Sequence, residues 1–339
     1  MKRATMTAPG VISVERAPIP EPGPGQVLLR IQRIGVCGSD IHVFHGKHPY
    51  TGYPVVQGHE FSALVERVGA GVEGLAPGTK VTAMPQVVCG VCGPCRRGDE
   101  HICDALRVQG FQAPGCAQEL WATDASKIVK LPADFSFEDG ALVEPVSVAV
   151  HAIARAGALA GRRAVVLGAG PIGNLVAQCA SASGAQVLIT DLSEYRLDVA
   201  RRCGLENTSN PTSEDLKIAS QRVFGDAGFD VAFECVGVEA TLTAATENLA
   251  KGGTLIVVGV FAEKPRMDLG LVQDRELNII GTLMYQRPDY EQAVAWIASG
   301  QIVTKPLESR HFKMDDYLEA YRYIDQQRDQ IMKVFIDVA

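Results

Sequence analysis

The stretch from Arg163 to Asp191 constrains the fold more than any other part of the chain. A short β-branched run, Arg163–Leu167, leads into Gly168-Ala169-Gly170-Pro171-Ile172-Gly173. Helical spacing follows over Pro171–Ser183, then a second strand-like run, Gln186–Asp191. Strand, glycine turn, helix and strand in that order make a βαβ unit, which requires two parallel strands with the helix laid across them. The alternation continues with a helix at Glu194–Cys203, strand-like runs at Val231–Glu234, Thr254–Gly259 and Asn278–Thr282, and a helical stretch at Thr241–Leu249. Such alternation predicts a parallel sheet covered on both faces.

The turn fits G-x-G-x-x-G, a weak pattern by itself. Between a strand and a helix, with Asp191 roughly 20 residues further on, it predicts a dinucleotide site. Gly168 permits the tight turn, Gly170 lets a pyrophosphate approach the backbone, and Gly173 lets helix and sheet pack closely. Pro171 and Ile172 open the helix. A carboxylate at Asp191 accepts hydrogen bonds from adenosine ribose hydroxyls and repels a 2′-phosphate, so NAD is expected rather than NADP. Arg196 is placed to stack on adenine or, as the lesser alternative, to contact a phosphate, and Val258 and Val260 complete the expected cofactor set. The rival reading is an unrelated glycine turn with Asp191 as a helix cap.

The remainder has a different texture. The first ~145 residues hold short β-type runs punctuated by Pro22-Gly23, Pro24-Gly25 and Pro77-Gly78. Helical stretches around Tyr290–Ala298 and Met314–Asp325 and a strand-like Lys333–Val338 follow the alternating part. The expected division is a β-rich domain over 1–147 completed by 286–339, and a nucleotide domain over 148–285. With 339 residues, 47% of them hydrophobic, each part is large enough to bury its own core. A net charge of −7 argues against nucleic acid or an anionic membrane as partner, because both select basic surfaces. The N-terminal residues lack a signal-peptide core, and no apolar run approaches the ~20 residues of a membrane span. A cytoplasmic protein is expected.

Four of the nine cysteines crowd together as C-x2-C-x2-C-x7-C: Cys89, Cys92, Cys95 and Cys103, with Gly90, Gly93, Pro94 and Gly98 between them. Without a secretory signal, metal binding is the better reading than a disulfide framework. Four thiolates close a tetrahedral Zn²⁺ shell, which makes the site structural. An iron–sulfur cluster is the rival, distinguished by visible absorption. Three further segments supply a second donor set: Cys37-Gly38-Ser39-Asp40-Ile41-His42, Gly58-His59-Glu60 and Glu144-Pro145. One thiolate, one imidazole and two carboxylates suit an open Zn²⁺ site.

Taken in order, G-V-C-G-S-D-I-H, G-H-E, the four-cysteine lobe, E-P-V-S-V with His151, and G-A-G-P-I-G resemble the zinc-dependent medium-chain dehydrogenases. The likeness covers nearly the whole chain and is strongest to the sorbitol (polyol) branch. It implies an α/β protein: a GroES-like β-rich catalytic domain built from both chain ends, with a Rossmann domain inserted. It implies catalytic zinc on Cys37 and His59, with Glu60 a further ligand. Glu144 is implied as either the fourth ligand or the partner of a zinc-bound water. The implied reaction is hydride transfer from a secondary alcohol, a polyol or sugar-derived hydroxyl, to NAD. Ser39 and His42 would carry the proton outward, and Asp40 would orient His59. Tyr285 corresponds to a tyrosine that grips substrate hydroxyls; its usual arginine neighbour is replaced by Met284, with Arg287 close by. Trp121 and Tyr50 are further pocket candidates. A threonine-3-dehydrogenase-type or simple secondary alcohol dehydrogenase is the alternative, and a non-catalytic zinc- and NAD-binding protein a remote one. A homo-oligomer, dimer or tetramer, is implied, with the Thr254–Phe261 run either a candidate for extending the sheet across a two-fold axis or an ordinary buried strand.

Overall fold

The computed structural model describes residues 1–339. By compactness the chain forms two units. The first comprises Met1–Glu144, Gln286–Val294 and Glu308–Ala339, and the second Pro145–Tyr285 with Ala295–Leu307. No helix is long and apolar enough to cross a membrane.

The first unit is β-rich. Its main sheet runs Glu308–Lys313, Lys333–Asp337, Gln26–Gly35, Glu60–Val68, Lys80–Ala83 and Ile128–Lys130, with Leu120–Asp124 also paired to Gln26–Gly35. Alternating apolar residues of these strands, among them Val27, Leu29, Ile31, Ile34, Phe61, Ala63 and Val81, are buried in one core. Trp121 stands edge-on to Phe61 in that core, which makes it a packing residue, and Tyr50 is 77% exposed. Two pairings position the later chemistry. Gly35, at the end of its strand, lies opposite Glu60, and Phe335 lies on its other side.

The helix Phe137–Ala156 runs across the division expected between residues 147 and 148. Gly140 and Pro145 disguise it, since glycine and proline both weaken a helix interior. Burial overrides propensity here: Ala141, Leu142, Val143 and Val146 have essentially no exposure. Gly140 is required by close approach to the sheet. A Cβ there would lie 2.8 Å from Ser62 Cβ and 2.7 Å from Leu131 Cδ1. Glu144, one helical turn on, therefore projects from a helix seated against the Glu60–Val68 strand.

The second unit is a six-stranded parallel sheet in the order Thr208–Ser209, Gln186–Thr190, Arg163–Leu167, Phe229–Glu234, Leu249–Val257, Asn278–Gly281. Counted within the unit this is 3-2-1-4-5-6, the order of a dinucleotide-binding Rossmann sheet. The strand order reverses between Arg163–Leu167 and Phe229–Glu234, and ligands of such sheets bind beyond the carboxyl ends of those two strands. Val165, Val231, Phe233 and Leu255 are fully buried, as a sheet covered on both faces requires. The Thr254–Phe261 run does not form an edge. Its strand is hydrogen-bonded on both sides, and Asn278–Gly281 is the edge strand instead.

Candidate active site

Cys37 lies two residues beyond the Gln26–Gly35 strand and is the N-cap of the short helix Gly38–Phe44. The cap is held by Asp40, whose Oδ2 accepts from the Cys37 N–H at 3.0 Å. His59 and Glu60 open the neighbouring antiparallel strand. The ligand atoms of Cys37, His59 and Glu60 all lie within 4.8 Å of one another. A thiolate, an imidazole and a carboxylate at that spacing fit one Zn²⁺ and leave an open position. Glu144 is 5% exposed and lies outside that tight group, yet close enough to act electrostatically on His59.

The surroundings are polar and buried. Asp40 is buried, which raises its carboxyl above the usual range, although His59 opposes the shift. Gln57 Nε2 donates to Asp40 Oδ1 at 3.2 Å, and the Tyr321 hydroxyl donates to Gln57 Oε1 at 3.0 Å. Asp40 Oδ1 is 3.7 Å from His59 Nδ1, an ion-pair distance too long for a hydrogen bond. His59 Nδ1 is itself a buried nitrogen without a hydrogen-bond partner. Burial opposes a charge on this imidazole, but Asp40, then Cys37 and Glu144, hold its pKa well above the ordinary value. Metal binding there displaces a proton. Glu60 is held at both oxygens by Lys333, a residue that no local sequence pattern marks.

Ser39 is half-buried and His42 exposed on the helix that begins at Cys37. At i and i+3 they share a face of that helix, from beside the metal ligands outward to solvent. The other histidines of the first unit have structural partners: His45 with Asp325, His48 with Thr51, His101 with Gln286 and His311 with Asp337.

The cysteine lobe is assembled as well. All four cysteines are unbridged. Sγ separations are 3.3 Å for Cys92–Cys95, 3.8 Å for Cys92–Cys103 and 3.6 Å for Cys103–Cys89. Tetrahedral Zn–S bonds of ~2.3 Å put sulfurs about 3.8 Å apart, so the cluster fits zinc and is too wide for disulfides. Backbone N–H groups of Val91 and Cys92 pull the Cys89 thiol down to about 6, which favours the thiolate that a metal needs.

In the second unit the glycine turn has the expected construction. Gly168 has φ +97°, and a Cβ on Gly173 would lie 1.8 Å from the Gly168 carbonyl oxygen. Gly170 differs: a Cβ there would meet nothing within 4 Å. Packing within the protein does not need that glycine, which leaves open space at the N-terminus of the Pro171–Ala182 helix. Asp191 Oδ2 accepts from Ala169 N at 2.7 Å and Oδ1 from Ser193 N at 2.8 Å. Asp191 thus braces the turn, and the cap of the next helix is Ser193 rather than Asp191. Arg196 Nη1 is 3.9 Å from Asp191 Oδ2. Val258 is half-buried and Val260 74% exposed just past a strand's carboxyl end.

Sequence reasoning missed Glu234. It has no exposure, and its Oε1 accepts from Val236 N, Gly237 N and Thr241 Oγ1 at 2.9, 2.9 and 2.7 Å. It ties down the loop beyond its strand, where Gly237 approaches Val260 so closely that a Cβ would lie 2.5 Å from the Val260 oxygen. Its one sequence signal is a carboxylate ending the apolar run Val231–Glu234.

The candidates for gripping substrate do not converge. Tyr285 has 0% exposure and offers a substrate no surface. Met284 has a left-handed backbone, φ 53°. Arg287 donates to the carbonyls of Ser126 and Ile128, so it does not stand in for the missing arginine.

Residues 23–133 match the family model of the alcohol dehydrogenase GroES-like domain, and 171–299 that of the zinc-binding dehydrogenase. The chain is 37% identical to a 2-dehydro-3-deoxy-L-galactonate 5-dehydrogenase of Pseudoalteromonas atlantica, over 93% of this chain and 92% of that one. It is 35% identical to the sorbitol dehydrogenase of Ovis aries, over 92% and 90%. A zinc-binding dehydrogenase of Sinorhizobium meliloti 1021, solved bound to NADP, superposes with a TM-score of 0.91 at 29% identity, covering 99% of each chain.

Proposed function

The chain belongs to the zinc-dependent medium-chain dehydrogenases, in their sorbitol dehydrogenase-like branch, and from that premise we propose that it oxidises a secondary hydroxyl of a polyol or sugar-derived acid to a ketone, with NAD as acceptor. It is a zinc-dependent polyol or alcohol dehydrogenase. The observation that carries the proposal is the convergence of Cys37, His59 and Glu60 within 4.8 Å. The carboxylate in that set and the sugar-alcohol and sugar-acid chemistry of the two relatives support the substrate class.

When bound, zinc supplies a Lewis acid that lowers the pKa of the substrate hydroxyl, and NAD supplies the hydride acceptor. Cys37, His59 and Glu60 would hold the metal, with Glu144 at the edge of the site as a further ligand or a partner to water. Asp40 stabilises the His59 side of the cluster by charge across 3.7 Å. Ser39 takes the proton from the hydroxyl, and His42 releases it to solvent from the same helix face. Cys89, Cys92, Cys95 and Cys103 would hold a second zinc that fixes their lobe. Gly168, Gly170, Pro171, Ile172 and Gly173 receive the pyrophosphate. Asp191 receives the adenosine ribose, with Arg196, Val258 and Val260 lining the same edge. Asp191 argues for NAD by repelling a 2′-phosphate; the NADP held by the Sinorhizobium meliloti relative makes that choice worth measuring directly.

The test mixes the zinc-loaded protein with NAD or NADP against sorbitol, galactitol, sugar acids, threonine and 2-butanol, following reduced cofactor. Turnover on a polyol or sugar acid is expected, with kcat/KM at least ~10-fold higher for NAD than NADP, about 1.4 kcal/mol. Turnover confined to threonine or 2-butanol would overturn the substrate class, and a preference for NADP would overturn the role given to Asp191.

A homo-oligomer is also part of this reading. The edge strand Asn278–Gly281 leaves Ile279 37% exposed, with Leu283 54% exposed just beyond it. Unpaired apolar edges invite pairing with a second copy. Light scattering should return a dimer or tetramer mass; a monomer would remove the assignment.

A further inference from the structure

Lys333 is the one cation buried beside the donor set, and it comes from the far end of the chain. Its side chain is 3% exposed and that of Glu60 1%. The ammonium has three N–H groups, and three acceptors surround it: Glu60 Oε1 at 2.8 Å, Glu60 Oε2 at 2.7 Å and the Val36 carbonyl at 3.3 Å. Val36 immediately precedes Cys37, so one ammonium touches both segments that supply metal donors. The backbone reinforces the placement, because Val36 N donates to Val334 O at 3.0 Å. Gly35 makes room for the carboxylate, since a Cβ there would lie 2.3 Å from Glu60 Oε2.

We infer that Lys333 is a positioning residue that takes the place of the metal's charge while the cluster of Cys37, His59 and Glu60 is empty, and that competes with the metal for Glu60 once it is loaded. The inference rests on the reading of that cluster as the zinc site. A carboxylate removed from water needs a cation and hydrogen bonds. Lys333 provides both before any metal arrives, which keeps the Glu60 strand folded in the apo protein. Each carboxylate oxygen retains a second lone pair, so Glu60 is still available as a donor. Zinc then draws on a carboxylate whose charge is already partly spent, which weakens its hold on the metal. An ordinary structural ion pair would give the same loss of stability with or without metal; this one gives a loss that metal repairs.

The experiment compares wild type, Lys333→Met, Glu60→Gln and the double variant, each stripped by chelator and then reloaded with zinc, with His59→Ala as the control for metal bound elsewhere. Stripping empties the cysteine lobe equally in all of them, so that effect cancels. Stripped Lys333→Met should melt about 5 °C or more below wild type. Zinc should recover most of that deficit, and by chelator competition this variant should hold zinc ~10-fold more tightly than wild type. With cobalt substituted, its ligand-field bands should move towards higher coordination as Glu60 becomes a full ligand. The double variant, which removes both charges, should fold and melt close to wild type when stripped, and it keeps the test alive if the single variant is too unstable to purify. An equal deficit with and without zinc, or unchanged zinc affinity and cobalt bands, would overturn the inference and leave Lys333 a structural ion pair. Zinc retention no greater than in the His59→Ala control would overturn the metal site and the inference together.

Discussion

His59→Ala is expected to lower kcat/KM by at least ~10⁴-fold, equivalent to about 5.5 kcal/mol of transition-state stabilisation. The imidazole is one of only three donors in the tight cluster and is 6% exposed, so no mobile surface group can replace it. The protein should still fold, because the cysteine lobe and the glycine turn are remote in sequence from His59 and are built independently of it. Metal analysis should show zinc lost from the Cys37 cluster and kept by the cysteine lobe. Ser39→Ala provides the contrast: zinc fully retained, with kcat down about 10²-fold, the usual contribution of a positioned proton acceptor. A His59→Ala protein that kept more than about a tenth of wild-type kcat/KM would remove His59 from the chemistry, and unchanged turnover would do the same for Ser39.

Gly173→Val should weaken NAD binding by at least ~100-fold, about 2.7 kcal/mol. The new Cβ would start 1.8 Å from the Gly168 oxygen and 3.4 Å from Cys235 Cβ. Backbone must move to admit it, and the backbone that moves is the turn meant to receive the pyrophosphate. Melting temperature should fall as well, since helix and sheet can no longer approach. Gly170→Ala separates the two effects. Its Cβ meets nothing in the protein, so stability should be kept while NAD affinity falls. If Gly170→Ala bound NAD as wild type does, the pyrophosphate would have to lie elsewhere; if Gly173→Val did, the turn would not be the cofactor site at all.

What the sequence disclosed was whatever could be stated locally. Gly168 to Gly173 and Cys89 to Cys103 are each a few residues long, and their spacing encodes the turn and the metal geometry directly. Asp191 was legible because a strand of known length carries it back to the turn. The supports of the metal site were not legible, for a physical reason. Lys333 meets Glu60 across 273 residues, and Tyr321 meets Gln57 across 264. Neither residue has a neighbour in sequence that hints at burial of its polar end. The sequence left Thr254–Phe261 either an interface strand or an ordinary buried one, because apolar runs at Leu255–Val257 and Ile279–Ile280 look alike, and only the hydrogen-bonding order decides which of them is enclosed. Tyr285 and Arg287 show the opposite failure. Their positions suggested hydroxyl recognition, but Tyr285 is buried and Arg287 is occupied by two backbone carbonyls.

The Lys333–Asp337 strand has a consequence for how the protein comes into being. It is paired with Gln26–Gly35 on one side and Glu308–Lys313 on the other, so the sheet that carries Cys37 and Glu60 stays open along one side until this strand is made. At ~5–20 residues per second, the 273 residues between Glu60 and Lys333 occupy a ribosome for tens of seconds. During that interval the six parallel strands of the cofactor unit, all within Pro145–Tyr285, are synthesised, while Cys37, His59 and Glu60 wait with an unpaired sheet edge beside them. The parallel sheet is therefore expected to form ahead of the metal cluster. In a nascent chain, NAD affinity should appear before the zinc site does.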